Sequence, residues 1–406
     1  MNNLLVAQSG GPTAAINATL VGVLQGVRTS TKVDKVYGAK NGIEGVINGN
    51  LLDLNDLVKD THAIDTLTYT PASALGSCRY KMKDWKVNEE PYKKIIETFR
   101  KYDIKYFIYI GGNDSMDTVD KLSEYCMINS LDVKVMGGPK TIDNDLNLTD
   151  HCPGFGSAAK YIATTISELE RDINVYDIPA VTIVEIMGRN AGWLTAASAL
   201  ARVNGGSGPD LIYLCEKTFD YDRYIQDVKD KLAKKPGILV AVSEGIKDGT
   251  GAYVSDSMSS GAVDNFGHKY IAGAARALEQ LTRERIGCKV RAVELNLMQR
   301  AAAHIASETD IQESILLGLK AFNCAVEGET GRMAAIKRIS NDPYLVEFTS
   351  VPVSEVAIHE KTVPIDWITP EGNDVTEEMM AYLRPLIIGE VNLKYGNGIP
   401  KQYRLY

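Results

Sequence analysis

Three features of the sequence predict an α/β protein built on mainly parallel sheets. Short apolar runs alternate with longer stretches of helical periodicity, the rhythm of repeated βαβ units. Glycine-rich turns stand where an apolar run ends and a helical pattern begins. The chain has 406 residues, which at roughly 100–200 per domain leaves room for two such domains, each with its own core. Strands are expected at residues 4–7, 106–110, 133–136, 181–186, 211–214, 238–242 and 290–295. Several of these are continuous apolar runs, as strands covered on both faces should be. The plainest helix begins near Ser157, with Ile162, Ile166, Leu169 and Ile173 on one stripe. Others are expected after Thr13, Ser115, Gly192, Asp220 and Asp310. No short repeat, low-complexity tract or flexible linker marks a boundary, so the two domains are expected to share strands or cross over.

Composition narrows the function. Hydrophobic residues at 45% and charged residues at 24% are ordinary for a globular protein and exclude disorder and fibrous architectures. With 44 Lys+Arg against 52 Asp+Glu the net charge is -8, the wrong sign for a chain that tracks nucleic acid. The six cysteines, at 78, 126, 152, 215, 288 and 324, form no CxxC pair, which argues against a zinc or redox motif and for free thiols. Residues 2–27 carry no charge, but Gln8, Ser9, Gly10, Gly11, Pro12 and Asn17 interrupt any apolar span. The chain is therefore read as cytoplasmic, with no membrane partner.

In open parallel sheets, ligands bind beyond the carboxyl ends of the strands, so the turns there are the places to look for chemistry. The first, Gln8-Ser9-Gly10-Gly11-Pro12-Thr13, lets the backbone approach an anion at a helix N-terminus. It also suits an ordinary tight βα turn, and it lacks the Walker pattern GxxxxGK[ST]. The second, Gly111-Gly112-Asn113-Asp114-Ser115, repeats the glycine pair, and Asp114 or Ser115 can also serve simply as a helix cap. The third, Pro139-Lys140-Thr141-Ile142-Asp143-Asn144-Asp145, sets one cation beside two carboxylates. A carboxylate there suits a base that takes a hydroxyl proton, and a second suits a divalent cation; an Asx-rich turn is the alternative. The fourth, Met187-Gly188-Arg189, delivers an arginine fork suited to phosphate or to a surface salt bridge. The run Gly154-Phe155-Gly156-Ser157-Ala158-Ala159 matches the dinucleotide fingerprint, but no strand precedes it, so it is read as helix capping with close packing.

Together these segments, in this order and spacing, resemble the phosphofructokinase family over at least residues 1–300, and the TIDND motif is highly specific. The resemblance implies two Rossmann-like three-layer domains and Mg²⁺-assisted transfer of a phosphoryl group to the 1-hydroxyl of fructose 6-phosphate. It implies that Asp143 is the base, that Thr141 positions the sugar, and that Lys140 and Arg189 stabilise the transferring group. Gly11, Arg79, Gly112, Asp114 and Ser115 would line the donor site. Met187, Gly188 and Glu244 would hold the sugar, with Arg291 and Arg300 on its 6-phosphate. Asn113, Asp114 and Asp145 would serve the metal. ATP-using members have glycine at the positions of Asp114 and Lys140, whereas the pyrophosphate-dependent branch carries this Asp and Lys. Bulk and negative charge at Asp114 oppose a nucleotide α-phosphate, and the compact charge of Lys140 suits pyrophosphate.

The chain departs from the family pattern at Asn113, which replaces a metal-associated carboxylate, at Ala180, which replaces an arginine that reaches a neighbouring subunit, and at Leu297, which replaces a histidine. The reading is therefore a pyrophosphate-dependent enzyme acting on fructose 6-phosphate, assembled as a homodimer or homotetramer. Its rivals are an ATP-dependent or sedoheptulose 7-phosphate-using member and a non-catalytic regulatory subunit. The donor domain is expected to span residues 1–145 plus about 300–355. The sugar domain is expected to span 146–299 plus about 356–406, with a helical cap at 375–386.

Overall fold

The computed structural model describes residues 1–175, 177–258, 273–357 and 360–406. The chain opens with β1 (Asn3–Gln8), β2 (Val36–Ala39), β3 (Leu51–Asp53), β4 (Ile104–Gly111) and β5 (Lys134–Pro139). The strands β6 (Ala180–Ile186), β7 (Leu211–Tyr213), β8 (Gly237–Ser243) and β9 (Lys289–Glu294) follow, then a hairpin of β10 (Arg332–Asn341) and β11 (Tyr344–Pro352). They form a seven-stranded sheet ordered β11-β10-β5-β4-β1-β2-β3 and a four-stranded sheet ordered β7-β8-β6-β9. The central pairings are parallel, and only the outer pairs β2–β3 and β10–β11 are antiparallel. Each run expected as a strand is one, to within three residues at the ends.

The hairpin and the pair β2–β3 were not read as strands. Along β10 burial lapses to alternation after Ile336, and β11 has no fully buried position. Neither segment therefore shows the continuous apolar run that betrays a central strand.

The helices that carry the sites are α1 (Ile16–Thr29), α2 (Asn113–Ile128), α3 (Phe155–Ile173), α4 (Glu308–Glu327) and α5 (Glu377–Leu383). Helices α1 and α4 cross with their backbones almost touching. A Cβ on Gly22 would sit 1.9 Å from the Ile315 carbonyl oxygen, and one on Gly318 would sit 2.0 Å from that of Thr19. That contact fixes α1 and so the glycine turn that feeds it. The dinucleotide-like run opens α3, but its N-terminal donors are already used: Gly154 N and Ser157 N donate to the Asp310 carboxylate at 2.9 and 3.0 Å. A side chain from α4 supplies the anion, so capping rather than a cofactor accounts for the motif.

Leu4 and Val6 of β1 share one core cluster with α1 and α4, Leu5 and Ala7 face a cluster on the other side of the sheet, and α3 packs with Val363, Ile368, Met379 and Leu383 against the second sheet. The C-terminal end does not stay there: Leu405, with Tyr403 packed against it, belongs to the first core. Among the described residues no helix is long and apolar enough to cross a membrane.

A buried charge network joins the loop after β5 to α4 and to the β10–β11 hairpin. His151, 2% exposed, lies with Nδ1 2.8 Å from Asp150 Oδ2 and Nε2 2.6 Å from Glu313 Oε2. A carboxylate on each nitrogen requires a hydrogen on each, so the ring is an imidazolium. Burial works against its charge, but the Glu313 charge and the two carboxylate hydrogen bonds outweigh burial and raise the pKa. Arg338 pairs with Asp150, Tyr344 donates to Glu313, and Asp310 lies within electrostatic reach of the ring. A folded pKa raised above the unfolded value of about 6.5 gives stability that is complete below that pH and is lost as pH rises through the folded value. The melting-temperature gap between wild type and His151→Asn should therefore narrow from pH 6 to pH 9. An equal gap at both would remove the imidazolium from this role.

Candidate active site

The carboxyl ends of β1, β4 and β5 converge with those of β6 and β8 on a cleft of about 340 Å³. In each sheet this is where the chain has turned from building one side to building the other, the switch point at which open α/β sheets bind ligands. After β1, Gly10 takes φ +74, a left-handed turn that glycine adopts without strain. Its carbonyl accepts from Ser77 Oγ at 2.6 Å, which ties the turn to the loop that carries Arg79. After β4, Gly112 leads into α2, whose first turn presents Asn113, Asp114 and the buried Ser115. After β5, Lys140 N donates to the Gly111 carbonyl at 2.9 Å, which holds the second and third turns side by side.

Lys140 is 3% exposed and its Nζ donates to the Gly11 carbonyl at 2.7 Å. Burial pushes its pKa down to about 8, opposed by Asp143 and Asp145. Burial raises the Asp143 pKa and the Asp145 charge adds to this, while Lys140 and Arg189 pull it back. Burial raises Asp145 in the same way. The pair therefore holds protons more tightly than free carboxylates, which is the condition for a base that works near neutral pH. Thr141 Oγ1 accepts from Asp143 N at 3.1 Å and fixes the turn. The Asp145 side chain accepts from Asn113 Nδ2 at 2.8 Å. Its other oxygen, Asp145 Oδ1, and Asn113 Oδ1 are both buried without a protein partner.

From the second sheet come Met187, Arg189 and Glu244. Gly188 N donates to Glu244 Oε1 at 3.2 Å, so Gly188 shapes the wall through the backbone and does not line it. Burial, then the Asp143 charge, pushes Glu244 up to about 8. The buried Nε of Arg189 has no protein partner, as suits a guanidinium awaiting an anion. Arg79 and Arg300 complete the lining.

One expected residue is absent. Arg291 points from β9 away from the cleft, with its side chain 55% exposed and an ion pair to Asp172 at 3.8 Å. In the parallel register it lies opposite Thr182, well before the end of β6, so within one chain it does not reach the sugar site. Leu297 is likewise exposed and outside the lining. The structure adds Asn190 and Glu360 to the cleft and Gln299 beneath it, where Gln299 Oε1 accepts from Met187 N at 3.2 Å. Glu360 Oε1 accepts from Asn190 Nδ2 at 3.1 Å across 170 residues of sequence. No motif signals that contact.

A cleft between two parallel-sheet domains, lined by four cations and five carboxylates, has the composition that a phosphotransferase site requires. The chain belongs to the phosphofructokinase family, whose profile matches residues 3–325. The relatives narrow the class further. The pyrophosphate–fructose 6-phosphate 1-phosphotransferase of Halomonas elongata is 40% identical, covering 100% of this chain and 96% of its own length. The protein of the same name from Xanthomonas campestris pv. campestris is also 40% identical, over 99% and 96%. A crystal structure of pyrophosphate-dependent phosphofructokinase from Nitrosospira multiformis superposes with a TM-score of 0.90 at 37% identity, covering 99% of this chain and 96% of that one.

Proposed function

We propose that this chain transfers a phosphoryl group reversibly from inorganic pyrophosphate to the 1-hydroxyl of fructose 6-phosphate, giving fructose 1,6-bisphosphate and phosphate. The observation that carries the donor choice is the joint presence of Asp114 and Lys140 in the cleft lining. Asp143 takes the proton of the sugar hydroxyl, whose oxygen attacks one phosphorus of pyrophosphate as the bridging P–O bond breaks. Phosphate leaves from the donor side. Lys140, Arg189 and the Gly11 turn meet the charge carried by the transferring group, which is most of what a protein contributes to this reaction. Glu244 and Met187 hold the sugar, and Arg300 its 6-phosphate.

The two orphaned oxygens, Asp145 Oδ1 and Asn113 Oδ1, fit Mg²⁺, a hard cation that takes one or two protein oxygens and completes its shell with water and substrate phosphate. Asp114 stands beside them in the lining. Among the described residues no group of three or more acidic, His or Cys side chains forms a protein-only cage, which agrees with that mode. Charge balance supports the ion as well. Even with Glu244 protonated by its burial, the lining sets Arg79, Lys140, Arg189 and Arg300 against Asp114, Asp143, Asp145 and Glu360, too few cations for a strongly anionic substrate pair. When bound, Mg²⁺ neutralises phosphate charge and polarises the transferring group.

Six cysteines without a disulfide support a cytoplasmic location. The Arg291 edge, beside the exposed Ile178, supports a homodimer or homotetramer in which that edge faces another copy. A monomer by light scattering would set the assembly aside. The function itself is tested by a coupled assay across phosphoryl donors. Turnover with pyrophosphate should exceed that with ATP by about three orders of magnitude, the scale set by one well-placed unfavourable charge. Equal or better turnover with ATP would overturn the donor, and none with any donor would leave the regulatory-subunit reading.

A further inference from the structure

The loop that carries Asp143 and Asp145 runs from β5 to α3 with little regular structure of its own, and Asn144 and Leu148 adopt left-handed φ values of 56 and 59. Its polar groups must still be paired somewhere. Many of them turn to a segment more than 200 residues further on. Lys361 N donates to the Asp145 carbonyl at 2.8 Å, and Glu360 forms an antiparallel bridge with Leu146. The Lys361 ammonium donates to the carbonyls of Asp150 at 2.7 Å and Thr149 at 3.0 Å, and to Asn144 Oδ1 at 3.4 Å.

A second fastener acts beside it. Asn144 Nδ2 donates to Tyr382 Oη at 2.8 Å, and that hydroxyl donates onward to the Asp150 carbonyl at 2.7 Å. The clamp is itself anchored: Trp193 Nε1 donates to the Lys361 carbonyl at 2.9 Å, and the ammonium lies 5.4 Å from the Trp193 ring centroid. The ammonium thus gathers three oxygens of one loop and spends none of its donors on a carboxylate, a use suited to holding backbone shape.

We infer that Lys361, with Tyr382 in support, is a positioning residue that holds the Asp143–Asp145 loop in its reactive geometry from the C-terminal region. It stands outside the cleft lining. Its effect falls on the placement of Asp143 against the sugar hydroxyl, where a misplacement of about 1 Å lowers turnover about 10²-fold. The inference rests on the phosphoryl-transfer reading. Wild-type turnover with pyrophosphate is therefore measured first, and its absence would sink that reading independently of this one.

Lys361→Met keeps the length of the side chain and removes the three donors. It should lower kcat by roughly 30- to 100-fold while the KM for both substrates, and the Kd of fructose 6-phosphate measured by calorimetry without pyrophosphate, stay within about threefold. A kcat within threefold of wild type would overturn the inference, as would parallel losses of kcat and of sugar affinity in the folded variant. Tyr382→Phe decides the matter if Lys361→Met does not fold. It removes only the hydroxyl that links Asn144 to Asp150, and should lower kcat by about tenfold at unchanged KM. An unchanged kcat in that variant would overturn the inference equally.

Discussion

Asp143→Asn should lower kcat about 10³-fold while fructose 6-phosphate binds within about fivefold of the wild-type affinity. General base catalysis typically contributes 10²–10⁴-fold, and the asparagine fills the same space without accepting the proton. The cations that hold the substrates keep their anchors without Asp143: Lys140 is fixed by the Gly11 carbonyl, and Arg189 and Arg300 remain in the lining, although the Asp143 charge also supports the Lys140 ammonium. Loss should therefore appear in kcat and spare ground-state binding, the signature of an interaction made in the transition state. The pH profile adds a second readout. Burial and the Asp145 charge raise the Asp143 pKa, and only the deprotonated form accepts a proton. The wild-type rate should thus climb with pH along an acid limb above the ordinary carboxylate range, with an apparent pKa that belongs to the Asp143 and Asp145 pair. That limb should vanish in Asp143→Asn. A variant that keeps more than a tenth of wild-type turnover would exclude Asp143 as the base.

Much of this site was legible because its parts lie within a few residues of strand ends. Gly10-Gly11, Gly111 to Ser115, Lys140 to Asp145 and Met187 to Arg189 each follow an apolar run, and parallel-sheet topology brings such ends together without further information. What escaped depends on long-range closure. Glu360 and Lys361 sit in a segment with no periodicity and act through backbone pairing with residues 145 and 146, a partnership that leaves no local pattern. Arg291 shows the opposite limit. A sequence position says which strand carries an arginine, but only the register opposite Thr182 shows that it leaves the sheet too early to reach the cleft of its own chain. The return of Tyr403 and Leu405 to the first core is likewise decided by tertiary packing alone.

The double change Asp114→Gly with Lys140→Gly should shift the ratio of kcat/KM for ATP over pyrophosphate by about three orders of magnitude toward ATP. Asp114 lies in the first turn of α2 and lines the cleft, 3.8 Å from Lys81, so a carboxylate stands where a longer donor would pass its next phosphate. Two like charges about 4 Å apart repel by about 4 kcal/mol at an effective dielectric constant of 20, about a thousandfold in rate constant. Lys140 acts in the other sense. Its ammonium is packed into the turn so tightly that a Cβ on Gly10 would lie 3.0 Å from Nζ, which leaves a compact dianionic end as the group it fits best. Removing Lys140 should depress both donors' absolute rates, because it also neutralises the transferring group, so the ratio and not either rate is the readout. Asp114→Gly alone should relieve the repulsion yet leave pyrophosphate preferred, since the ammonium remains. If the double variant's ratio stays within tenfold of the wild type, donor choice does not reside in this pair, and the exclusion of nucleotides must come from the shape of the cleft mouth around Arg79 instead.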